Sequence, residues 1–181
     1  KTILLSGDKS ISHRALMISS VSKGVNQITN LCNGKDVAST ISCLRLCGAK
    51  IDRRAKSYVI STSRLSKPPE PLNCGNSGTT IRLLSGLLVG QGVEATLYGD
   101  KSLMNRPMDR IVEPLSQMGA KIENRDNKII IKRASIKGGN IDNNTSSAQV
   151  KSSIILAGLG AKNKTILSES YGSRDHTERM L

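Results

Sequence analysis

The stretch that decides the fold is Gly48-Ala-Lys-Ile51, because the same four residues return as Gly119-Ala-Lys-Ile122. The two copies stand at an offset of 71 in the numbering (119 − 48). The same offset relates Tyr58-Val-Ile60 to Ile129-Ile-Ile131, two strand-like runs that follow the copies. Self-similarity at a fixed period is the signature of a chain built from repeated supersecondary units. The sequence therefore predicts a repeat.

Each unit reads as a polar loop, an apolar helix, a strand, an amphipathic helix and further β-structure. A strand-like run at residues 3–5 precedes the first loop. The predicted apolar helices are 11–21, 78–90 and 147–161, and the strands after them are 25–31, 93–98 and 164–169. The amphipathic helices 36–48 and 107–119 each end at a glycine suited to the C′ position. Helices that are apolar nearly all round need burial on every side, so we predict an α/β fold with helices inside and sheets outside.

The period also divides the chain into units. Unit one covers about 1–70, unit two about 71–141 and unit three about 142–181. Three full units would extend to position 213 (3 × 71), whereas the sequence ends at Leu181, which is 32 residues earlier (213 − 181). Unit three is therefore shorter than the other two and is expected to stop within its second helix, at residues 176–181. We therefore predict that the sequence is part of a longer protein.

Composition narrows the class of partner. Lys and Arg number 27 against 14 Asp and Glu, a net charge of +13, which predicts an anionic partner such as nucleic acid, an acidic membrane or a phosphorylated small molecule. The chain has no Trp or Phe and three Tyr, which disfavours base stacking. The four cysteines form no CxxC pair and are predicted to be small core residues in a reducing compartment; they are Cys32, Cys43, Cys47 and Cys74.

The polar loops are the candidate binding sites. At the offset of 71, Lys9, Thr80 and Lys151 are equivalent, each beside the start of an apolar helix. Helix starts present unpaired N–H groups and partial positive charge, so three of them brought together are expected to trap anions. The loop at 75–80 carries glycines that permit close approach. Planar cations are available from Arg14, Arg82 and Arg106.

Some of these residues also have structural interpretations. Ser10 and Thr79, each taken alone, are typical N-caps. His13, in the first turn of a buried helix, is predicted to be structural, whereas His176 in the third unit's loop is better placed for substrate contact. No spacing supports a Ser/His/Asp triad or a pair of acid/base carboxylates.

Five motifs, in this order and spacing, closely resemble the bacterial 5-enolpyruvylshikimate-3-phosphate synthase family. They are GDKSISHRA (7–15), GNSGTTIRLLSGLL (75–88), GDKSLMNRPM (99–108), SSAQVKSSIILAGL (146–159) and SRDHTERML (173–181). The resemblance implies an inside-out α/β barrel of the enolpyruvyl transferase type, in which each of two domains contains three βαβαββ units. The active site would lie between the domains, and residues 1–181 would form most of the first.

The resemblance also implies an activity. The enolpyruvyl group of phosphoenolpyruvate is transferred to the 5-hydroxyl of shikimate 3-phosphate, and phosphate is released. The resemblance implies that the whole protein is a cytoplasmic monomer that uses no cofactor and no metal. Its implied partners are the two substrates and its own second domain, and neither nucleic acid nor membrane is among them. This chain alone is expected to be inactive.

Roles follow for individual residues. Lys9 resembles a catalytic lysine that assists proton transfer near phosphoenolpyruvate. The residues implied to bind phosphoenolpyruvate are Lys9, Asn76, Gly78, Arg106 and Gln149. The residues implied to bind shikimate 3-phosphate are Lys9, Ser10, Arg14, Ser147, Ala148, Gln149, Ser173 and Arg174.

Three alternatives stay open. UDP-N-acetylglucosamine enolpyruvyl transferase shares the repeat, but Cys74 is not placed as its loop cysteine would be. A basic nucleic-acid-binding domain resembling RNA 3′-phosphate cyclases fits the charge but lacks stacking aromatics and a dense basic run. A folding or regulatory domain without chemistry is the third.

Overall fold

The computed structural model describes residues 6–62 and 64–181, where helices and strands alternate as the repeat predicts. The helices are α1 (Lys9–Ser19), α2 (Lys35–Leu46), α3 (Gly78–Gly90), α4 (Lys101–Met104), α5 (Asp109–Gln117), α6 (Ala148–Gly158) and α7 (His176–Met180). The strands are β1 (Val25–Thr29), β2 (Lys50–Arg54), β3 (Ser57–Ser61), β4 (Leu72–Asn73), β5 (Ala95–Tyr98), β6 (Lys121–Arg125), β7 (Lys128–Lys132), β8 (Gly139–Asn143) and β9 (Thr165–Glu169). The strand-like run at 3–5 lies outside the described residues.

The sheets repeat the period of 71 at the level of residue pairs. The first sheet has the order β1-β3-β2 and is antiparallel. The second has the order β4-β5-β7-β6, in which only β4 and β5 are parallel, and the third is the parallel pair β8-β9. Ile51 faces Ile60 in the first sheet, and Ile122 faces Ile131 in the second. All four are buried, so the first and second sheets present the same apolar pair to the core.

The amphipathic helices α2 and α5 end in the same way. Gly48 and Gly119 follow them with φ angles of +88° and +94°, in the left-handed region that suits glycine. After α2, the Ala49 amide donates to the Leu44 carbonyl at 3.0 Å, and the equivalent bond closes α5. The predicted C′ glycines are therefore present at both positions.

Short elements and some helix ends differ from the sequence-based expectation. Helix α1 begins and ends two residues before the predicted 11–21, and α6 ends three residues before residue 161. The strands β4 and β8 and the helix α4 were not predicted, whereas α7 lies at the predicted second helix of unit three. The first of these strands has two residues and α4 has four, which is too short to display a periodicity.

Helix α3 lies at the centre, with eleven of its thirteen residues buried. It packs directly on α6, because Gly86 and Gly90 let the two backbones approach. A Cβ atom on Gly86 would overlap the Ser153 carbonyl, and one on Gly90 would lie 2.7 Å from the Ala157 carbonyl oxygen. The helices are thus internal and the sheets outer, as predicted.

Three of the four cysteines are buried core residues, and Cys32 is partly buried. This agrees with their predicted role. Among residues 6–62 and 64–181, none of the helices combines the length and apolar character that a bilayer crossing requires.

We expect Gly86→Ala to lower the free energy of unfolding by about 2 to 3 kcal/mol, because the methyl group overlaps the Ser153 backbone, which belongs to α6 and can yield only if that helix shifts. Alanine is otherwise the better helix former by about 1 kcal/mol, so a loss cannot come from helix propensity. Gly172→Ala is the matched control, since a Cβ there meets open space. Denaturant unfolding measures both, and an unchanged midpoint for Gly86→Ala would contradict the packing.

His13 is a structural histidine, as predicted. Its ring is fully buried, and Nδ1 lies 2.7 Å from Thr40 Oγ1. The Nε2 atom has no hydrogen-bond partner within the part of the chain that the structure describes. Burial lowers the pKa of His13 to about 4, so the ring is neutral at neutral pH.

This burial makes stability depend on pH. An unfolded histidine has a pKa of about 6.5, so between about pH 6.5 and pH 4 the unfolded state binds more protons. The stabilisation is complete above that range and is lost as the pH falls through it. Between about pH 7 and pH 4.5, we expect the wild-type protein to lose about 2 to 3 kcal/mol more unfolding free energy than His13→Gln. Denaturant titrations at both values measure this, and equal losses would contradict it.

Candidate anion-binding site

Three helix N-termini form the framework of the site, and each has its own cap. The Asp8 carboxylate accepts from the Ile11 amide at 2.8 Å in α1. The Ser77 hydroxyl accepts from the Thr80 amide at 3.1 Å in α3, and the Ser147 hydroxyl caps α6. The N-cap interpretation of Ser10 and Thr79 is therefore wrong: both lie inside the first turn.

Side-chain bonds bring the starts of α3 and α6 together. Gln149, the second residue of α6, donates from Nε2 to Thr79 Oγ1 at 3.1 Å. Its Oε1 accepts from Arg82 Nη1 at 2.7 Å. One amide therefore fixes the start of α6 against both the first turn and the arginine of α3.

The starts of α1 and α2 are joined to the same region. Lys9 Nζ lies 3.0 Å from Asp36 Oδ2 in the first turn of α2. The buried hydroxyls of Thr40 and Thr80 are 2.8 Å apart, which connects α2 to α3. Helix N-termini from all three units therefore meet at one end of the helical core, as the repeat predicted.

The offset of 71 is nevertheless wrong for the helix starts themselves. Between the caps Asp8, Ser77 and Ser147, the offsets are 69 (77 − 8) and 70 (147 − 77). Lys9, Thr80 and Lys151 consequently occupy the first, third and fourth positions of their helices. Only the Lys9 side chain is exposed, so these three residues are not equivalent anion ligands.

Two guanidinium groups flank the first residue of α3. A Cβ atom on Gly78 would lie 3.0 Å from Arg82 Nη1 and 3.2 Å from Arg106 Nη1. Burial lowers the pKa of Arg82, and the positive charges of Arg106 and Arg110 lower it further, although an arginine stays charged. Two cations beside the N–H groups of a helix start have the chemistry to hold an anion such as a phosphate.

The loop before α3 orients one of these cations. Asn76 accepts from Arg106 Nη2 at 2.6 Å through its Oδ1. Its amide nitrogen donates to both oxygens of Asp100, at 2.9 and 2.7 Å. The bond from Asn76 is the main cause that lowers the pKa of Asp100. Asn76 thus aligns Arg106 without neutralising it, because the acidic group is bound to the amide.

A second cluster surrounds the start of α6. Ser147 is partly exposed at the cap, and Ala148 is the first residue of the helix. Ser173 donates from Oγ to Glu169 Oε1 at 2.8 Å. Arg174 is exposed beside it, and His176, for which substrate contact was predicted, is the half-buried first residue of α7.

Arg14 lies in the interior rather than on the open surface. It is 3% exposed, and its guanidinium donates to Ser10 O, Ser152 Oγ and Thr177 Oγ1. These bonds join α1 to α6 and α7. They use three of the five N–H groups of an arginine, so two remain for another acceptor.

Sequence reasoning missed the acidic members of the site. Asp36 pairs with Lys9, Asp100 binds Asn76, and Glu169 binds Ser173. A carboxylate in the first turn of a helix, such as Asp36, reads as an ordinary complement to the helix dipole. Its partner lies far away in sequence, in the first turn of a different helix, which no local pattern reveals.

The fold and this geometry define a class: an α/β domain of repeated units with internal helices, whose helix starts and arginines form a candidate anion-binding site. A family model described as EPSP synthase (3-phosphoshikimate 1-carboxyvinyltransferase) matches residues 1–181. The chain belongs to this family, which confirms the resemblance seen in the five motifs.

Known proteins agree with this assignment. The chain is 50% identical to the 3-phosphoshikimate 1-carboxyvinyltransferases of Vesicomyosocius okutanii and Alkaliphilus metalliredigens, over 97% of its length in both cases. It covers 42% and 43% of those proteins. The solved EPSP synthase of Acinetobacter baumannii matches with a TM-score of 0.92 and 39% identity, over 99% of this chain and 42% of that one. The chain thus spans less than half the length of these relatives.

We expect Gly78→Ala to weaken anion binding with little effect on folding. The added methyl meets the side-chain ends of Arg82, Arg106 and Gln149 and no backbone atom, so it displaces the two cations without straining the backbone. Millimolar inorganic phosphate should raise the melting temperature of the wild-type chain, and most of that increase should be lost in the variant. Gly158→Ala, at the far end of α6, is the matched control. An equal phosphate effect in Gly78→Ala would contradict the site.

Proposed function

We propose that the protein containing this chain transfers the enolpyruvyl group of phosphoenolpyruvate to the 5-hydroxyl of shikimate 3-phosphate. The observation that carries the proposal is the pair Arg82 and Arg106 on either side of Gly78, with Gln149 reaching in from α6. Both substrates are polyanions, and this cluster offers fixed positive charge next to free helix N–H groups. The named activity of the relatives supports the same reaction.

For phosphoenolpyruvate, we assign binding to the loop before α3 and its neighbours. Gly78 admits the phosphate to the helix start, and Arg106, held by Asn76, supplies charge. Gln149 lies between this site and the start of α6. Lys9 reaches the same end of the core from α1.

For shikimate 3-phosphate, we assign the 3-phosphate to the start of α6 and the loop after β9. Ser147, Ala148, Gln149, Ser173 and Arg174 supply hydroxyl, amide and guanidinium donors there. Ser10 and Arg14 on α1, together with Lys9, are assigned to the carboxylate and hydroxyl side. Arg14 contributes through the two N–H groups that its internal bonds leave available.

The reaction needs one proton to move in each of two steps. Addition joins the 5-oxygen to C2 of phosphoenolpyruvate, C3 gains a proton, and the hydroxyl loses one. Elimination then breaks the C2–O bond to phosphate, which leaves with the bonding electron pair, and a proton from C3 is transferred to the released phosphate, so the protons balance over the two steps. We propose that Lys9 carries a proton at this centre, with Asp36 holding its ammonium group in place.

We further propose that residues 1–181 form most of the first domain, in units of about 1–70, 71–141 and 142–181, and that a second domain covers the site. Lys9, Asn76 and Arg106 are exposed to solvent, whereas this chemistry profits from exclusion of water. The chain alone would then bind substrate weakly and give no turnover. The whole protein is proposed to be a cytoplasmic monomer that uses no cofactor.

The test is phosphate release by the full-length protein, given both substrates. We expect Lys9→Met to lower kcat by about 10² to 10⁴-fold, the usual contribution of a proton-transferring group. Lys67→Met is the matched control, because Lys67 also pairs with a carboxylate, Glu94 at 2.6 Å, but away from the site. Wild-type turnover by Lys9→Met, or turnover by the isolated chain, would contradict the assignment.

A further inference from the structure

Lys151 is a buried cation that the proposed reaction does not use. Its side chain is 6% exposed, four residues after the cap Ser147 on α6. The ammonium group binds Glu169 Oε2 at 2.8 Å, Glu178 Oε1 at 2.7 Å and the Ser173 carbonyl at 3.2 Å. One side chain thus holds the end of β9, the loop after it and α7.

The loop held in this way carries two proposed ligands of the 3-phosphate, Ser173 and Arg174. Glu169 also accepts from Asn143 Nδ2 at 3.2 Å. Asn143 in turn accepts from the Thr145 amide and hydroxyl, at 3.2 and 2.7 Å, which orders the segment leading to Ser147. Both segments that present phosphate ligands are therefore fixed on the Lys151–Glu169 pair.

Lys151 also compensates negative charge near the proposed phosphate site. Glu169 and Glu178 are two carboxylates beside a site proposed to bind a phosphate, and without compensation they would repel it. Burial alone would lower the pKa of Lys151, but its bonds to the two glutamates raise it, so the side chain stays charged. The cluster of one lysine and two glutamates carries a formal charge of −1, and it would carry −2 without the lysine.

The hydroxyl of Ser173 is bound by Glu169 and is also a proposed ligand of the phosphate. It has one hydrogen, which it donates to Glu169. A bound phosphate and the Glu169 carboxylate compete for that hydrogen. Because Lys151 already neutralises Glu169, the carboxylate holds the hydroxyl less strongly than a free charge would.

We propose that Lys151 is a positioning residue for the 3-phosphate of shikimate 3-phosphate: it fixes the Ser173 loop against α6 and compensates one of the two negative charges that repel the phosphate. It does not touch the substrate. The inference rests on the proposed function and extends it to a residue one turn inside α6.

The test compares Michaelis constants in the full-length protein. We expect Lys151→Met to raise the KM for shikimate 3-phosphate by about tenfold or more, since it leaves an uncompensated charge near the phosphate. The KM for phosphoenolpyruvate should stay within about twofold of wild type, because the two arginines proposed to bind its phosphate flank Gly78 and neither contacts Lys151, Glu169 or Glu178. Lys151→Arg should retain most of the affinity, and Lys67→Met should change neither constant.

A charge-balanced variant separates this role from a merely structural one. The double variant Lys151→Met/Glu169→Gln has the wild-type cluster charge of −1, so it should bind shikimate 3-phosphate more tightly than Lys151→Met. It also serves as the test if the single variant does not fold. A double variant that binds as weakly as Lys151→Met would overturn the charge argument.

Two outcomes distinguish an error in the role of Lys151 from an error in the proposed phosphate site. If Ser147→Ala raises the KM for shikimate 3-phosphate but Lys151→Met does not, the inference is overturned and the phosphate site stands. If neither variant changes that constant, the assignment of the phosphate site itself is wrong.

Discussion

The contact between α3 and α6 is the constraint on which the rest of the structure depends. Gly86 and Gly90 allow backbone to meet backbone, and Ser153 Oγ donates to the Arg82 carbonyl at 2.9 Å across the same interface. With the helix axes held this close, their first turns must lie side by side. That placement lets the Gln149 amide bind Thr79 and Arg82 together. A greater distance between the two helices would prevent this.

Buried cations form the second organising feature. Arg14 and Lys151 are both nearly inaccessible, and each joins elements that are distant in sequence. Arg14 in the first helix reaches Thr177 in the last. A buried charge is costly unless hydrogen bonds compensate it, so these residues restrict α1, α6 and α7 to the arrangement that satisfies them. The same arrangement places positive charge around the proposed polyanion site.

Acidic residues adjust this positive charge rather than cancel it. Asp36 holds Lys9, and Glu169 binds Lys151 together with Glu178. Asp100 binds the amide of Asn76. Among the described residues, Arg106 therefore has no carboxylate partner. The cations are thereby given fixed directions while the surface remains open. An open surface of oriented cations is consistent with the proposed second domain, because a covering domain would exclude water and strengthen every charge interaction.

The sequence by itself determined the α/β class, the repeat, the helices with C′ glycines and the motifs that define the family. These features depend on periodicity, on glycine's left-handed backbone and on residues close together in the chain. Only the tertiary structure showed that Lys9, Thr80 and Lys151 occupy different helix positions, because loops of different length shift the caps to offsets of 69 and 70. It alone paired Lys9 with Asp36 and Lys151 with Glu169 and Glu178. Such partners meet because helices pack against each other, and no pattern along a single chain records which side chains packing will bring together.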